Sequence, residues 1–442
     1  MIIRLASILL VALGPLWAEG SSKTGLPPEL QRGIDRLNAA LAAGEGLKPQ
    51  SAGLVTAHID MDQLVDRTFA DVCRDPLDDY KDALDNDQLA DLVQVCREQL
   101  RTAFAERLQR DFVHHIRELR IRRIIVVGLK SDDDRVSLQL LAEGNTAAHI
   151  TCRLVNRDQR WLITGIEINQ QDLSDHYQEL LEDVLGEGYS PPVLLARLAQ
   201  RDYIVIEDFS STAAGRLPRD WGHMRDKDKH KPKPYKVQVA NGYHYLAAQD
   251  TGKSVIIGKF VHWNPRKFPI MTWCWRVNTL PPGGNELVNK LNDSAAGIYV
   301  MFSQNWLGVP KQVKYVWSST LSEGTVGRRN KIFRPWFFVL ESGDANLGKW
   351  TFEQVDLLKD YHQVFSGGKP KRRTIGVGVL TDANNTDSYA EAYYADFRVW
   401  SREAYEGGRV VDYCDRFEER AVDTNSSATL SQLPGSQSGV RQ

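Results

Sequence analysis

Between Tyr203 and Trp400 the chain is cut into short runs that suit extended backbone: YKVQVA, YHYLAAQ, SVIIGKF, IMTWCWRV, AAGIYVMFS, VKYVWSS, RPWFFVLES, RTIGVGVLTD and AYYADFRVW. Glycine, proline and asparagine turns separate them. Many of the runs alternate apolar with polar residues, so a strand made from one presents an apolar face to a core and a polar face outward. So many short strands bury their faces by stacking two sheets, which predicts an all-β sandwich of jelly-roll type. The one good helix signal in this half is FEQVDLLKDYHQVF. In MTWCWRV, the residues Met271, Trp273, Trp275 and Val277 share one face, and Thr272, Cys274 and Arg276 the other. An all-apolar face belongs inside, so the tryptophans read as core in preference to a sugar-stacking platform.

The first half has a different texture. PELQRGIDRLNAALAAG and the region Met61 to Val72 have helical spacing. DNDQLADLVQVCREQLRTAFAERLQRDF opens with a cap at Asp85 and lines Leu92, Cys96, Leu100, Phe104, Leu108 and Phe112 along one face. IRRIIVVGL, RVSLQLLA, AAHITCRLV and RWLITGIEI follow as strand-like runs split by polar turns. Helices followed by an antiparallel meander predict an α+β layer, helices packed on a curved sheet. At 442 residues two domains are the natural reading.

Arg4 followed by an apolar run from Leu5 to Trp17, with the small Ala18 after it, reads as a secretory signal peptide over residues 1–18. Export to a periplasm or similar compartment is therefore expected, with an uncleaved anchor as the competing reading. A formal net charge of −2 gives no reason to expect a nucleic-acid partner. The five cysteines, Cys73, Cys96, Cys152, Cys274 and Cys414, contain no CxxC pair, which argues against zinc and thioredoxin-like chemistry. One disulfide is possible, with Cys73 and Cys96 nearest in sequence. Residues 422–442 are polar and predict a disordered tail.

The stretch ITCRLVNRDQRWLITGIEINQQDLSDHYQELLEDVLGEGYSPPVLLARL resembles the closing segment of the MlaC-type periplasmic lipid-shuttle family, also called toluene-tolerance auxiliary proteins. Trp161 holds the family's tryptophan place after the turn, and Gly188, Leu194 and Leu198 hold its final helix motif. NQQD at 169–172 stands where the family has a glycine. The resemblance covers residues 28–200. It implies a cavity between sheet and helices that shelters the acyl chains of a phospholipid or similar amphiphile, and an ABC-type lipid transport system as partner. Phe104, Leu108, Phe112 and Trp161 are then pocket candidates, with plain core packing as the alternative. The second half, over 203–402, resembles a bacterial family known only as a domain of unknown function. The residues that carry this are IEDF, WCWRV with LPPGGNE, YVW, GKW, KDY, VGVLTDANNT and YYADFRVW.

No catalytic constellation is legible. If Arg276, Trp317, Tyr394 and Arg398 share a concave face, they form a groove of cations and aromatic planes suited to an anionic glycan. Pairing of first and last strands would gather Glu207, Asp208 and Asp396. Such a group fits a structural calcium ion, acid/base glycoside chemistry or ordinary edge carboxylates. Two functions stay open: amphiphile carriage with the sandwich as a targeting module, or a polysaccharide-binding or polysaccharide-active sandwich with an accessory first half.

Overall fold

The structure is a computed structural model. It describes residues 28–42, 59–69, 72–74, 86–118, 120–129, 135–142, 145–158, 160–185, 190–225, 228, 230–304, 310–329, 334–365 and 368–418. The signal-peptide reading, Asp85, Gly188, the side chain of Phe112 and the tail at 422–442 lie outside the described residues. No helix among them is long and apolar enough to cross a membrane.

The protein is mostly β-sheet, with its longer helices before residue 200. Helices at Pro28–Ala42, Met61–Phe69 and Asn86–Glu118 precede a five-stranded antiparallel sheet. Its strands are β1 (Ile121–Leu129), β2 (Arg135–Ala142), β3 (Asn145–Arg157), β4 (Arg160–Ile168) and β5 (Gln171–Asp172). Helices Leu173–Leu185 and Pro191–Leu198 follow. Along the Asn86–Glu118 helix the predicted apolar line is the buried one: Cys96, Leu100, Phe104 and Leu108. Phe104 meets Phe69 and Tyr177 edge to face, with ring centroids 5.1 and 4.8 Å away.

The remaining strands form two sheets. They are β6 (Tyr203–Glu207), β7 (Gly222–His223), β8 (Tyr235–Ala240), β9 (Tyr243–Asp250), β10 (Ile257–Phe260), β11 (Ile270–Thr279), β12 (Ala296–Gln304), β13 (Pro310–Ser318), β14 (Val326–Gly327), β15 (Trp336–Ser342), β16 (Thr351–Asp356), β17 (Gly376–Leu380) and β18 (Ala390–Trp400). One sheet runs β14-β15-β13-β12-β17-β10-β7, the other β16-β11-β18-β9-β8, with β6 also paired to β18. Pairing is antiparallel except between β13 and β15. The sheets stack in a sandwich-like manner through large rings: Trp273 lies 5.5 Å from Tyr315, and Trp275 lies 5.8 Å from Trp317. Both β11 tryptophans are fully buried.

The outer face of the six-stranded sheet is covered by the chain after β18. Cys274 is bonded to Cys414, and Trp350, Phe417 and Tyr393 pack around that bridge. A second disulfide joins Cys73 to Cys96, while Cys152 is free and buried.

Two expectations need correction. The FEQVDLLKDYHQVF segment is half strand: Thr351–Asp356 pairs with β11, and the helix starts only at Leu357. Asp356 makes the switch, because its carboxylate accepts from the amides of Leu358 and Lys359 and caps the new helix. The alternation in β18 is also not uniform. Asp396 has a φ of +52°, and the register against β11 slips there. Ala392 and Tyr394 point into the core before this bulge, and Phe397 and Val399 after it.

Candidate functional site

The seven-stranded sheet turns one face to the core and leaves the other uncovered in its middle. Ile298, Val300, Phe302, Val313, Tyr315, Val377 and Val379 point inward and are fully buried. Their alternating neighbours Tyr299, Met301, Gln312, Lys314 and Gly378 line a cleft of about 490 Å³ on the opposite face. Register sets a row across four strands, with Lys314 opposite Tyr299, Tyr299 opposite Gly378, and Gly378 opposite Gly258. Two of the four have no side chain: Met224 packs over Gly258, and Gly378 leaves a low place beside Tyr299. Glycine inside a strand marks such a close approach of backbone. A Cβ at Gly297, the neighbour of this row, would collide with the Lys314 side chain.

Two loops wall one end. In the loop 281–295 Glu286 is 1% exposed, and its two oxygens accept from Ser294 Oγ at 2.8 Å and Ser318 Oγ at 2.6 Å. Ser294 Oγ in turn accepts from Lys314 Nζ at 3.0 Å, and the ammonium lies 5.6 Å from the centre of the Tyr299 ring. Asp293 fastens this loop to the next by accepting from the amides of Asn385 and Thr386 at 2.9 and 2.7 Å. The second loop also brings Asp382, Asn384 and Asn385 to the cleft, and Arg329 and Arg334 line it as well.

The electrostatics are mixed and strained. Burial pushes the Asp382 carboxyl up to about 6, with Asp293 adding to the rise and Lys314 opposing it. Burial, with Arg334 alongside, lowers the proton affinity of Arg329. A carboxylate that titrates near neutrality in a cleft is a functional-site signature. An ammonium, three guanidinium groups, a phenol and amide side chains, with the carboxylates of Glu286 and Asp382 among them, suit a ligand with hydroxyl groups and an anionic group.

A second cavity of about 440 Å³ lies between the Asn86–Glu118 helix and the sandwich. Leu92, Val95, Ala103 and Leu195 give it an apolar wall, and Glu207, Asp208, Asp220 and Lys259 a charged one. Lys259 Nζ bridges Glu207 at 3.0 Å and Asp220 at 2.5 Å.

The residues singled out from the sequence fall as follows. Phe104 and Leu108 are fully buried and Trp161 partly so; none of the three lines either cavity described here. The four ligand-face candidates are not brought together. Trp317 and Tyr394 point into the core: Trp317 donates to Gly343 O at 3.0 Å, and Tyr394 Oη pairs with Thr381 Oγ1 at 2.8 Å. Arg276 is on the other face of β11, bonded to Asn278 Oδ1 at 2.9 Å. Arg398 is bidentate to Asp396 and lies 4.0 Å from the ring centre of Tyr413. The bulge at Asp396 explains the split, since it puts Tyr394 and Arg398 on opposite faces.

The first and last strands do pair, with Glu207 opposite Phe397. Glu207 accepts from Phe209 N, Trp221 Nε1 and Lys259 Nζ, Asp208 from Ser210, and Asp396 from Arg398. A calcium ion there would have to displace Lys259 and Arg398. Among the described residues the one close group of cysteine, histidine and acidic side chains is Cys274, Asp412 and Cys414. Its two sulfurs are already spent on a disulfide.

Sequence reasoning missed Lys314, Glu286 and Tyr299, and met Asp382 only within the motif VGVLTDANNT, whose oxygen-rich end reads first as a turn. A usable signal was present in GVGVL, where glycine alternates with valine and so marks a strand with one bare face.

A family model described as a protein of unknown function, DUF3047, matches residues 219–398, a span that contains every residue named above as lining the sheet-face cleft. No curated protein matches the chain. Among solved structures, a phospholipid-binding protein from Ralstonia solanacearum is similar at 16% identity over 38% of this chain and 91% of its own, with a TM-score of 0.24. The xyloglucanase domain of an effector from Sinorhizobium fredii is similar at 8% identity over 41% and 93%, with a TM-score of 0.25. A family 29 carbohydrate-binding module from Piromyces equi is similar at 10% over 45% and 89%, with a TM-score of 0.20. Likeness of this degree is too slight to carry a function.

Proposed function

We propose that this chain is an exported binding protein whose sandwich, residues 203–402, holds an anionic, polyhydroxylated ligand of the carbohydrate type on the face of its seven-stranded sheet. The observation that supports this is the Lys314–Ser294–Glu286–Ser318 chain of hydrogen bonds in the cleft beside Gly378. It holds a buried ammonium in place before any ligand arrives, and a preorganised charge binds with less ordering cost. Arg329 and Arg334 add forks that recognise carboxylate or phosphate. The test is isothermal titration with trigalacturonate against neutral cellotriose. Trigalacturonate binding that falls tenfold or more in Lys314→Met supports the reading; binding of neither sugar overturns it.

A second reading places an amphiphile between the first half, residues 28–200, and the sandwich, in the manner of a lipid shuttle. The cavity between the Asn86–Glu118 helix and the sandwich favours it, because an apolar wall facing charged groups matches an acyl chain with a polar head. Native mass spectrometry of protein purified gently from its own envelope tests this. A stoichiometric lipid supports carriage, and an empty protein sinks it.

A further inference from the structure

Three side chains that line the sheet-face cleft keep polar atoms that the fold itself does not engage. Tyr299, Lys314 and Asp382 are 9%, 6% and 3% exposed. Tyr299 Oη makes no hydrogen bond among the described residues, although its ring lies under the Lys314 ammonium. Asp382 accepts through Oδ1 from the Asn384 amide at 3.4 Å, and its Oδ2 accepts from no described residue. Lys314 Nζ donates to Ser294 Oγ, which accounts for one of its three hydrogens. Buried polar groups are normally paired, so three in one cleft with capacity left over mark a place for a bound or reacting molecule. Glu286, the other carboxylate in the lining, is engaged at both oxygens by Ser294 and Ser318. Asp293 behind it is engaged at both by Asn385 and Thr386. Glycoside hydrolysis by two carboxylates therefore lacks its second member here. Lys314 and Arg329 each face both Tyr299 and Asp382.

We infer that the cleft cleaves uronate-containing polysaccharide by β-elimination, with Asp382 as base and Tyr299 as proton donor, an activity that rests on the reading of the cleft given above. A uronate carries an acidified C–H on the carbon next to its carboxylate, which a neutral sugar lacks. Lys314 and Arg329 offset the charge of that carboxylate and the charge that builds on it as the proton leaves. The Asp382 carboxylate takes this proton, and the electrons of the C–H bond form a carbon–carbon double bond to the neighbouring ring carbon. The bond from that carbon to the glycosidic oxygen breaks, and the oxygen takes the proton of the Tyr299 hydroxyl. The proton on Asp382 then returns to the Tyr299 oxygen through solvent. One fragment ends in a free hydroxyl and the other in an unsaturated uronate, and neither water nor an oxidant is consumed. Burial raises Asp382 to about 6, which makes it a stronger base than an exposed aspartate and leaves it ionised at neutral pH. Gly378, opposite Tyr299, leaves the flank of the phenol open to the sugar.

The test incubates the full chain with polygalacturonate, alginate and chondroitin sulfate and reads the ultraviolet absorbance of the unsaturated uronate, with trigalacturonate titration alongside. The variants are Tyr299→Phe and Asp382→Asn, which remove the donor and the base while keeping the side-chain shape. Absorbance that rises with at least one polymer and falls about 100-fold or more in each variant supports elimination, provided trigalacturonate binding weakens by no more than about threefold. Trigalacturonate binding by the parent without product from any polymer overturns elimination and leaves the binding reading standing. New reducing ends without the absorbance mean hydrolysis and overturn it too, as does full activity in either variant. Neither binding nor product overturns both readings.

Discussion

Asp382→Asn isolates the cost of keeping a carboxylate in the cleft. The aspartate's ordinary value of 3.8 is pushed to about 6, first by burial and then by Asp293, against the pull of Lys314. Asp250 adds to the rise, and Arg329 also faces the group. A native carboxyl that binds its proton more tightly than the unfolded chain does contributes stability fully present below the unfolded value, and that contribution is lost as pH rises through about 6. At about 1.4 kcal/mol for each tenfold in proton affinity, the gap is worth about 3 kcal/mol. Asparagine cannot ionise, and its side-chain oxygen still accepts from the Asn384 amide as Asp382 does. The variant is therefore expected to match the parent near pH 4 and to exceed it by ~1–3 kcal/mol near pH 7.5. Urea denaturation followed by tryptophan fluorescence at both pH values reads the difference, since the sandwich core is rich in that residue. A constant offset across that range would refute the assignment.

Glu353 tests the same physics elsewhere: burial raises it to about 8, with Glu341 nearby adding to the rise, and it accepts from Trp275 Nε1 at 3.1 Å. Glu353→Gln is expected to flatten the loss of melting temperature as pH rises from 4.5 to about 8, and an unchanged slope across that window counts against it. Cys414→Ser opens a link across 140 residues, with an expected loss of about 5 kcal/mol on chain-entropy grounds. A melting temperature equal to the parent's would show that the covering segment holds without the bridge. Gly297→Ala drives a Cβ into Lys314, for an expected cost of about 1–3 kcal/mol and loss of trigalacturonate binding. Unchanged titration would remove Lys314 from the site.

The strands and the inward tryptophans were legible because each rests on a pattern local in sequence. Met271, Trp273, Trp275 and Val277 alternate without interruption, and all four are buried. The ligand face was not legible from β18, because one backbone torsion at Asp396 reverses the parity that alternation assumes. Nothing in YYADFRVW announces that torsion, although aspartate tolerates it better than a branched residue would.

The cleft was hidden for a different reason. Its residues come from β12, β13, β17 and two loops, and no two of Lys314, Glu286, Tyr299 and Asp382 are closer in sequence than thirteen positions. What unites them is cross-strand register, which a single strand does not encode. Lys314 shows the consequence. In VKYVWSS it reads as the solvent-facing member of an alternating strand, yet in the sheet it is 6% exposed and hydrogen-bonded to Ser294. Glycine at 297 leaves the space its side chain fills, and Glu286 from another loop supplies the compensating carboxylate to the same serine. A lysine buried with its counter-charge arranged through an intermediate hydroxyl stabilises a fold poorly, because desolvation offsets most of the attraction. On the proposed reading its ammonium, which already faces the Asp382 carboxylate, also meets a ligand's negative charge that Lys314→Met would leave unmatched.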